Sequence, residues 1–357
     1  MNILPHLAKT LMARNVPLGS TIELLAPCNL HCTHCYVTHS KKNRLTLPVL
    51  VDLFDQMAEA GSFSGSLTVG EIGLRKDLFQ SIEAARQRYF AIRLLSTGTL
   101  WREQHWDRIA ELAVQDVRMS VYAVDAAVHD TVTCTPGSHT KTMTSVMGLR
   151  ERGVNVTLAC PIMATNAHEV LRVVELGEQL GVDVAIDPRI TWTDASNETP
   201  ATTRASVEQI AEVYRDERER KRFAPSEQSC AAPQDDDTPC SVGRQYSFIQ
   251  CTGDVLPCSN WPRSCGNVLE QRYLDIWRNS LGLGFARSVS HKMLTGCDGC
   301  GDRGDCHPCI AMNLQERGSV ALPAQTTCDS TAAQAIEVFG ASRQQQHGGH
   351  ARLRVVA

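Results

Sequence analysis

From residue 21 to about 190, short β-rich runs alternate with segments of helical periodicity, and this alternation limits the possible folds more than any other feature of the chain. Strands are expected at 21–26, 66–69, 91–95, 117–122, 154–159 and 182–186. Between them the spacing is helical: in 47–60, Leu50, Leu53, Phe54 and Met57 share one face. Gly61, Gly153 and Gly181 stand where helices should end. Alternating units of this kind build a parallel sheet with right-handed crossovers. Six units are too few for a closed eight-fold barrel. The expected fold is therefore α/β, a partial (β/α)6 barrel of parallel strands with its chemistry at the strands' C-terminal ends.

The chain divides by composition into residues 1–20, the barrel at 21–200, a helical, proline-containing linker at 201–229, a cysteine-rich region at 230–332 and a Gln/His/Gly-rich tail at 333–357. A net charge of −4 provides no basic field for nucleic acid, and aromatic and basic residues do not interleave. No run approaches the roughly 20 apolar residues of a membrane span. Residues 1–20 lack the pattern of a secretory signal, so the expected location is the cytoplasm, with no membrane partner.

Cysteine is over-represented, with 15 residues in two groups. Cys28, Cys32 and Cys35 follow the first strand, ten more lie between Cys230 and Cys328, and Cys134 and Cys160 stand alone. Short spacings in a large chain without a secretory signal favour metal ligation over disulfides. The first group, Cys28-Asn-Leu-His-Cys32-Thr-His-Cys35-Tyr36, can converge if it forms a loop. Three thiolates on a four-iron cube leave one iron open, as a catalytic site requires. A zinc knuckle completed by His31, His34 or His39 is the alternative, and a non-catalytic zinc scaffold is the matching reading of the whole chain. Colour and absorption near ~400 nm separate iron–sulfur protein from zinc protein.

This three-cysteine spacing at the end of a first barrel strand resembles the signature of the radical S-adenosylmethionine (SAM) superfamily, and the resemblance extends over most of residues 21–190. It implies that Cys28, Cys32 and Cys35 hold a catalytic [4Fe–4S] cluster whose open iron is chelated by SAM. Tyr36, Gly70, Glu71, Ser96 and Ser120 are implied as SAM contacts. Glu71 would accept from the SAM ammonium, and Gly70 would allow close backbone approach. The family's first glycine is Val69 here, and Ser96-Thr97-Gly98-Thr99 replaces its Thr-Asn-Gly-Thr.

In the second group, Cys240, then Gly253-Asp254 as a hairpin turn, Cys258, and the run Cys297-Asp-Gly-Cys300, Cys306-His-Pro-Cys309 and Cys328 resemble the SPASM extension behind some radical SAM domains. Gly266-Asn267-Val268, leading to Ile276-Trp277, resembles it too. By that resemblance Cys297, Cys300, Cys306 and Cys328 hold one auxiliary [4Fe–4S] cluster, and Cys240, Cys258 and Cys309 hold three corners of another. The gap from Cys306 to Cys309 is one residue shorter than usual. The fourth ligand of the nearer cluster is Cys230, Cys251 or Cys265, or the corner is open.

The implied activity is reductive cleavage of SAM to a 5′-deoxyadenosyl radical and hydrogen abstraction from a peptide or protein, giving a cross-link, an oxidation or an epimerisation. The implied partners are an electron donor such as flavodoxin or ferredoxin and a separate leader-binding protein. A small-molecule substrate such as a tetrapyrrole side chain is the alternative. Lone cysteines are usually inert, but Cys134 or Cys160 would serve an epimerase as hydrogen-atom donor if either faced the radical.

Overall fold

A computed structural model gives the fold and describes residues 10–223 and 233–338. Six parallel strands occur in the expected order: β1 (Gly19–Glu23), β2 (Ser64–Thr68), β3 (Ala91–Ser96), β4 (Asp116–Ser120), β5 (Val156–Pro161) and β6 (Asp183–Asp187). The crossovers are α1 (Leu47–Glu59), α2 (Leu78–Gln87), α3 (Glu103–Glu111), α4 (Ala126–Thr133) with α5 (Ser138–Glu151), and α6 (Val170–Leu180). Several strand ends differ from expectation by two or three residues. The β1 ladder stops at Glu23, and residues 24–26 continue as an arm: Leu24 N donates to Thr68 O (3.0 Å) and Ala26 N to the Asn43 side chain (2.8 Å).

Side chains alternate across the sheet. Ile22, Leu67, Ile92, Leu94, Val117, Met119 and Leu158 are fully buried in one core with Leu50, Leu53, Phe54 and Met57 of α1. Each such burial stabilises the fold by roughly 1.5–3 kcal/mol. The alternate residues, among them Glu23, Arg93, Arg118, Ser120, Thr157, Ala159 and Ala185, belong to the opposite, concave face.

The helical part of the linker expected at 201–229 is two helices, α7 (Val207–Arg215) and α8 (Glu217–Phe223), separated at Asp216. Ser206 opens α7 with a capping box: its Oγ accepts from Gln209 N, and the Gln209 side chain accepts from Ser206 N. Ile210, Ala211, Val213 and Tyr214 are buried in the main core. This stretch, read from its prolines and charges as a linker, thus packs as part of the body.

The cysteine-rich region begins with a hairpin of β7 (Tyr246–Ile249) and β8 (Val255–Leu256), turning at Gly253 with φ +94°. Strand β7 pairs in parallel with β1, Gly19 opposite Tyr246, and the sheet runs β6-β5-β4-β3-β2-β1-β7-β8. Then follow α9 (Tyr273–Asn279), α10 (Leu281–Ser288), α11 (Ile310–Arg317) and α12 (Gln325–Glu337). A second core joins Val242, Phe248, Leu256, Trp261, Ala286 and Ile310 to Val69 of the barrel. Among the described residues no helix is long and apolar enough to cross a membrane. Cys230 and the tail from residue 339 lie outside the described residues.

Candidate active site and cysteine centres

The arm after β1 carries the first cysteine group to the top of the concave face. Its backbone is pinned to the end of α4: His31 N donates to Thr133 O (3.1 Å) and Thr33 N to Val132 O (3.0 Å). Cys35 N donates to Cys32 O (3.1 Å) and Leu30 N to Cys28 Sγ (3.4 Å). Burial pushes all three thiols above the ordinary cysteine value, Cys32 to about 12. Cys28 and Cys35 add to the rise at Cys32 as neighbouring charges. Each of these thiols therefore lies within electrostatic reach of another, and deprotonating them calls for compensating positive charge.

Two neighbours touch these thiols. His39 Nδ1 lies 2.8 Å from Ala26 O, a carbonyl that can only accept, so that nitrogen carries the proton and Nε2 faces Cys35 Sγ at 3.6 Å. The Tyr122 hydroxyl stands 4.0 Å from Cys32 Sγ.

Gly70 lies directly beneath the loop. At φ +55° an added Cβ would meet Pro27 O at 1.9 Å, and Glu71 N donates to the same Pro27 O (3.0 Å). Val69, where the resembled family has glycine, is also left-handed, at φ +79°. Such a conformation costs a β-branched residue about 1–3 kcal/mol. The side chain is only 5% exposed and packs in the second core with Phe248 and Trp261, which offsets the strain.

Glu71 and Ser96 do not face an open site. Glu71 is fully buried, and each carboxylate oxygen accepts twice: Oε1 from Gly73 N (2.9 Å) and Ser96 Oγ (2.6 Å), Oε2 from Thr97 N (2.8 Å) and Thr97 Oγ1 (2.6 Å). That fills the roughly four acceptor positions of a carboxylate. With these four bonds Glu71 fixes the turn after β3. Ser96 is occupied with Glu71 and with Gly98 N (2.9 Å). Ser120, the last residue of β4, is half-buried on the concave face. Tyr36 packs against the second core, and its carbonyl accepts from Asp194 N (2.8 Å).

The nine described cysteines of the second group separate into two thiol sets and two outliers. Cys328, pushed up to about 12 by burial, senses Cys306, Cys297 and Cys300 as charges. Thr331 Oγ1 donates to Cys306 Sγ (3.3 Å). Cys258 is raised by burial and then by Cys309 and Cys240. Cys251 turns elsewhere: its N donates to Glu23 Oε2 (3.2 Å). Cys265 lies beside Ser280 and Arg287. Among the described residues, no three His, Cys, Asp or Glu groups close on one point as a single tetrahedral ion requires. The corners of an iron cube lie farther apart, and thiolate sets of this kind are its usual ligands.

Of the lone cysteines, Cys160 is fully buried in the main core on the helix side of β5, where it faces away from the concave surface. Cys134 is exposed at the end of α4.

Two features were missed in the sequence. Glu23, Lys41 and Asp194 form a buried ionic cluster, with Lys41 Nζ 3.5 Å from Glu23 and hydrogen-bonded to Asp194. It ties the arm after Cys35 to β1, to the segment after β6 and, through Cys251, to the hairpin. Arg189 lies beside Cys240 and Cys309. Glu23, a lone charge in Ile22-Glu23-Leu24-Leu25, was the available signal.

Two family models match the chain: the radical SAM superfamily over residues 22–177, and an iron–sulfur cluster-binding domain, SPASM, over residues 240–301. An AdoMet-dependent heme synthase of Methanosarcina barkeri is 23% identical over 74% of this chain and 83% of its own. The subtilosin biosynthesis protein AlbA of Bacillus subtilis is 23% identical, over 84% and 68%. The PqqA peptide cyclase of Xanthomonas campestris is 27% identical, over 80% of each. In fold, the chain resembles Streptococcus suis SuiB bound to its precursor peptide SuiA, with a TM-score of 0.70 at 17% identity over 92% and 80% of the chains. It also resembles AdoMet-bound anSMEcpe, with a TM-score of 0.69 at 16% identity over 90% and 97%. Arranged on this barrel and matched by both models, the chain belongs to the radical SAM superfamily and carries a C-terminal SPASM domain.

Proposed function

We propose that this enzyme modifies a peptide, with Cys28, Cys32 and Cys35 holding the catalytic [4Fe–4S] cluster and SAM bound above the concave face. When bound, cluster and SAM supply a 5′-deoxyadenosyl radical that removes a hydrogen atom from the substrate. The three half-buried thiols, within electrostatic reach of one another on a pinned loop at the top of the sheet, carry this reading. Gly70 and Glu71 hold that loop through Pro27, and Ser120 and Tyr36 lie where they can border SAM. The walls of the barrel position the target carbon and keep out stray hydrogen donors.

Cys297, Cys300, Cys306 and Cys328 are the ligand set for one auxiliary cluster, and Cys240, Cys258 and Cys309 for three corners of a second. Cys251 and Cys265 face other partners, so its fourth ligand is Cys230 or a group from outside the chain. The peptide substrate is supported by relatives whose names describe peptide maturation. An acidic flavodoxin or ferredoxin is the fitting reductant, a separate protein would present a leader, and the cytoplasm keeps the thiols reduced. Relatives named as heme synthases favour a tetrapyrrole as the second reading.

Anaerobically reconstituted enzyme, given dithionite and SAM, should release 5′-deoxyadenosine, and the Cys28/Cys32/Cys35→Ala variant should not. Incubation with the peptide encoded beside its gene should change that peptide's mass or stereochemistry. SAM cleavage with an unaltered peptide, but with a converted porphyrin carboxylate, would transfer the assignment to the second reading.

A further inference from the structure

Strands β1 and β6 stand five steps apart in the sheet. In a flat sheet that would separate them by roughly 24 Å, at about 4.8 Å per strand. The curl of the sheet instead brings the segment after β6 against the arm that leaves Cys35, and one residue makes the junction. Asp194 N donates to Tyr36 O (2.8 Å), its Oδ1 accepts from Thr38 N (3.0 Å), and its Oδ2 accepts from Lys41 Nζ. The Asp194 side chain is only 4% exposed. Its carboxylate is close enough to Cys35 to act on that thiol as a charge.

Asp194 is itself held in place. Thr193 N donates to Asn197 O (2.8 Å) and Asn197 N to Thr193 Oγ1 (2.9 Å), which closes a tight turn around it. Upstream, Ile190 O accepts from the Arg204 guanidinium, and Thr191 Oγ1 donates to Gln315 (2.7 Å) of α11, the helix that follows Cys309. The arm it grips has less support of its own, because His39 bonds back to Ala26 O within the same loop. At Tyr36 and Thr38 the fixed reference comes from the far edge of the sheet.

We propose that Asp194 is a positioning residue for the catalytic cluster: its bonds to Tyr36, Thr38 and Lys41 fix the Cys35 corner from the opposite side of the half-barrel. This rests on the reading of Cys28, Cys32 and Cys35 as the ligands of that cluster.

The test is EPR of the full-length protein, reconstituted anaerobically and reduced with dithionite, during titration with SAM. The signal that SAM shifts reports the catalytic cluster, and the signal that SAM leaves alone reports the auxiliary ones. Asp194→Ala removes both side-chain bonds. Its SAM-shifted signal should split into several species, and its SAM affinity should fall about tenfold, as loss of a charge-assisted bond does. Asp194→Asn keeps the backbone bond and one side-chain bond and should lie between that variant and the wild type. It carries the test alone if Asp194→Ala does not fold. In both variants the SAM-insensitive signal should keep its wild-type intensity, which a merely structural role would not preserve.

Two outcomes overturn the proposal: a SAM-shifted signal and SAM affinity in the variants equal to those of the wild type, or parallel loss of both classes of signal. A wild type with no SAM-shifted signal at all removes the parent reading of the three cysteines, and this proposal with it.

Discussion

Replacing Glu71 with glutamine separates a scaffold from a ligand contact. The carboxylate accepts four hydrogen bonds, two from backbone amides and two from hydroxyls. In glutamine one oxygen becomes an NH2 group, so Gly73 N–H or Thr97 N–H must face a donor whichever way the amide is turned. The hydroxyl beside it can rotate to accept, but the backbone amide cannot. A buried N–H without a partner costs about 1–3 kcal/mol, and loss of the negative charge weakens the remaining bonds by roughly another 1 kcal/mol.

Glu71→Gln should therefore lose about 2–4 kcal/mol, a large part of a domain's 5–15 kcal/mol. Urea denaturation of the apoprotein reads this directly, from the midpoint at constant slope. The reasoning fails if Glu71→Gln unfolds within about 0.5 kcal/mol of the wild type while the holoenzyme's affinity for SAM collapses. That pattern belongs to a carboxylate aimed at SAM.

Four further outcomes follow from the same geometry. Gly70→Ala places a methyl 1.9 Å from Pro27 O, so the arm before Cys28 must move; iron retained per chain after reconstitution should fall by about one four-iron cluster, a loss of roughly 2 kcal/mol or more in stability accompanying it. Cys240→Ser should lower iron content, while Cys251→Ser and Cys265→Ser should not, as assayed by iron quantification and Mössbauer spectroscopy. Lys41→Met strands Glu23 and Asp194 and should cost roughly 3–5 kcal/mol, part of which Glu23→Gln in the same chain should restore in a double-mutant cycle.

The fourth outcome concerns His129, which accepts from Tyr122 N (3.2 Å) and is held down to about 4 by burial first and by His139 next. The unfolded chain takes up this proton near pH 6.5 and the folded one does not until about pH 4. Stability from this group is thus complete above pH 6.5 and falls by about 3 kcal/mol as pH drops to 4. His129→Gln should flatten that part of the apoprotein's midpoint-versus-pH curve, and an unchanged slope would contradict the assignment.

The barrel was legible because its signal is local. Apolar alternation marked each strand, and Gly181, now seen in the left-handed conformation at φ +63°, marked the end of α6. The thiol sets were legible through spacing, but the partners of Cys251 and Cys265 were not, because Glu23 is 228 positions from Cys251 along the chain. Glu71 illustrates a second limit. Its motif position suggested contact with a ligand, while its donors Ser96 and Thr97 reach it only when β2 and β3 align. The pairing of β7 with β1 left no trace in either segment, since each reads as an ordinary strand with unspecified neighbours.

That pairing also sets an order of events during synthesis. Strand β1 is made before the other strands of the sheet, but the neighbour on its outer flank emerges more than two hundred residues later, so closing this seam carries the delay of a long-range contact. Until then the edge of β1 lacks its backbone partner, and Arg44 N waits for the carbonyl of Cys251, to which it donates at 2.7 Å. The arm bearing Cys28, Cys32 and Cys35 is secured on that side only once the hairpin docks. Metal loading of the first centre at full strength should therefore follow, and not precede, completion of the nascent chain to about residue 256.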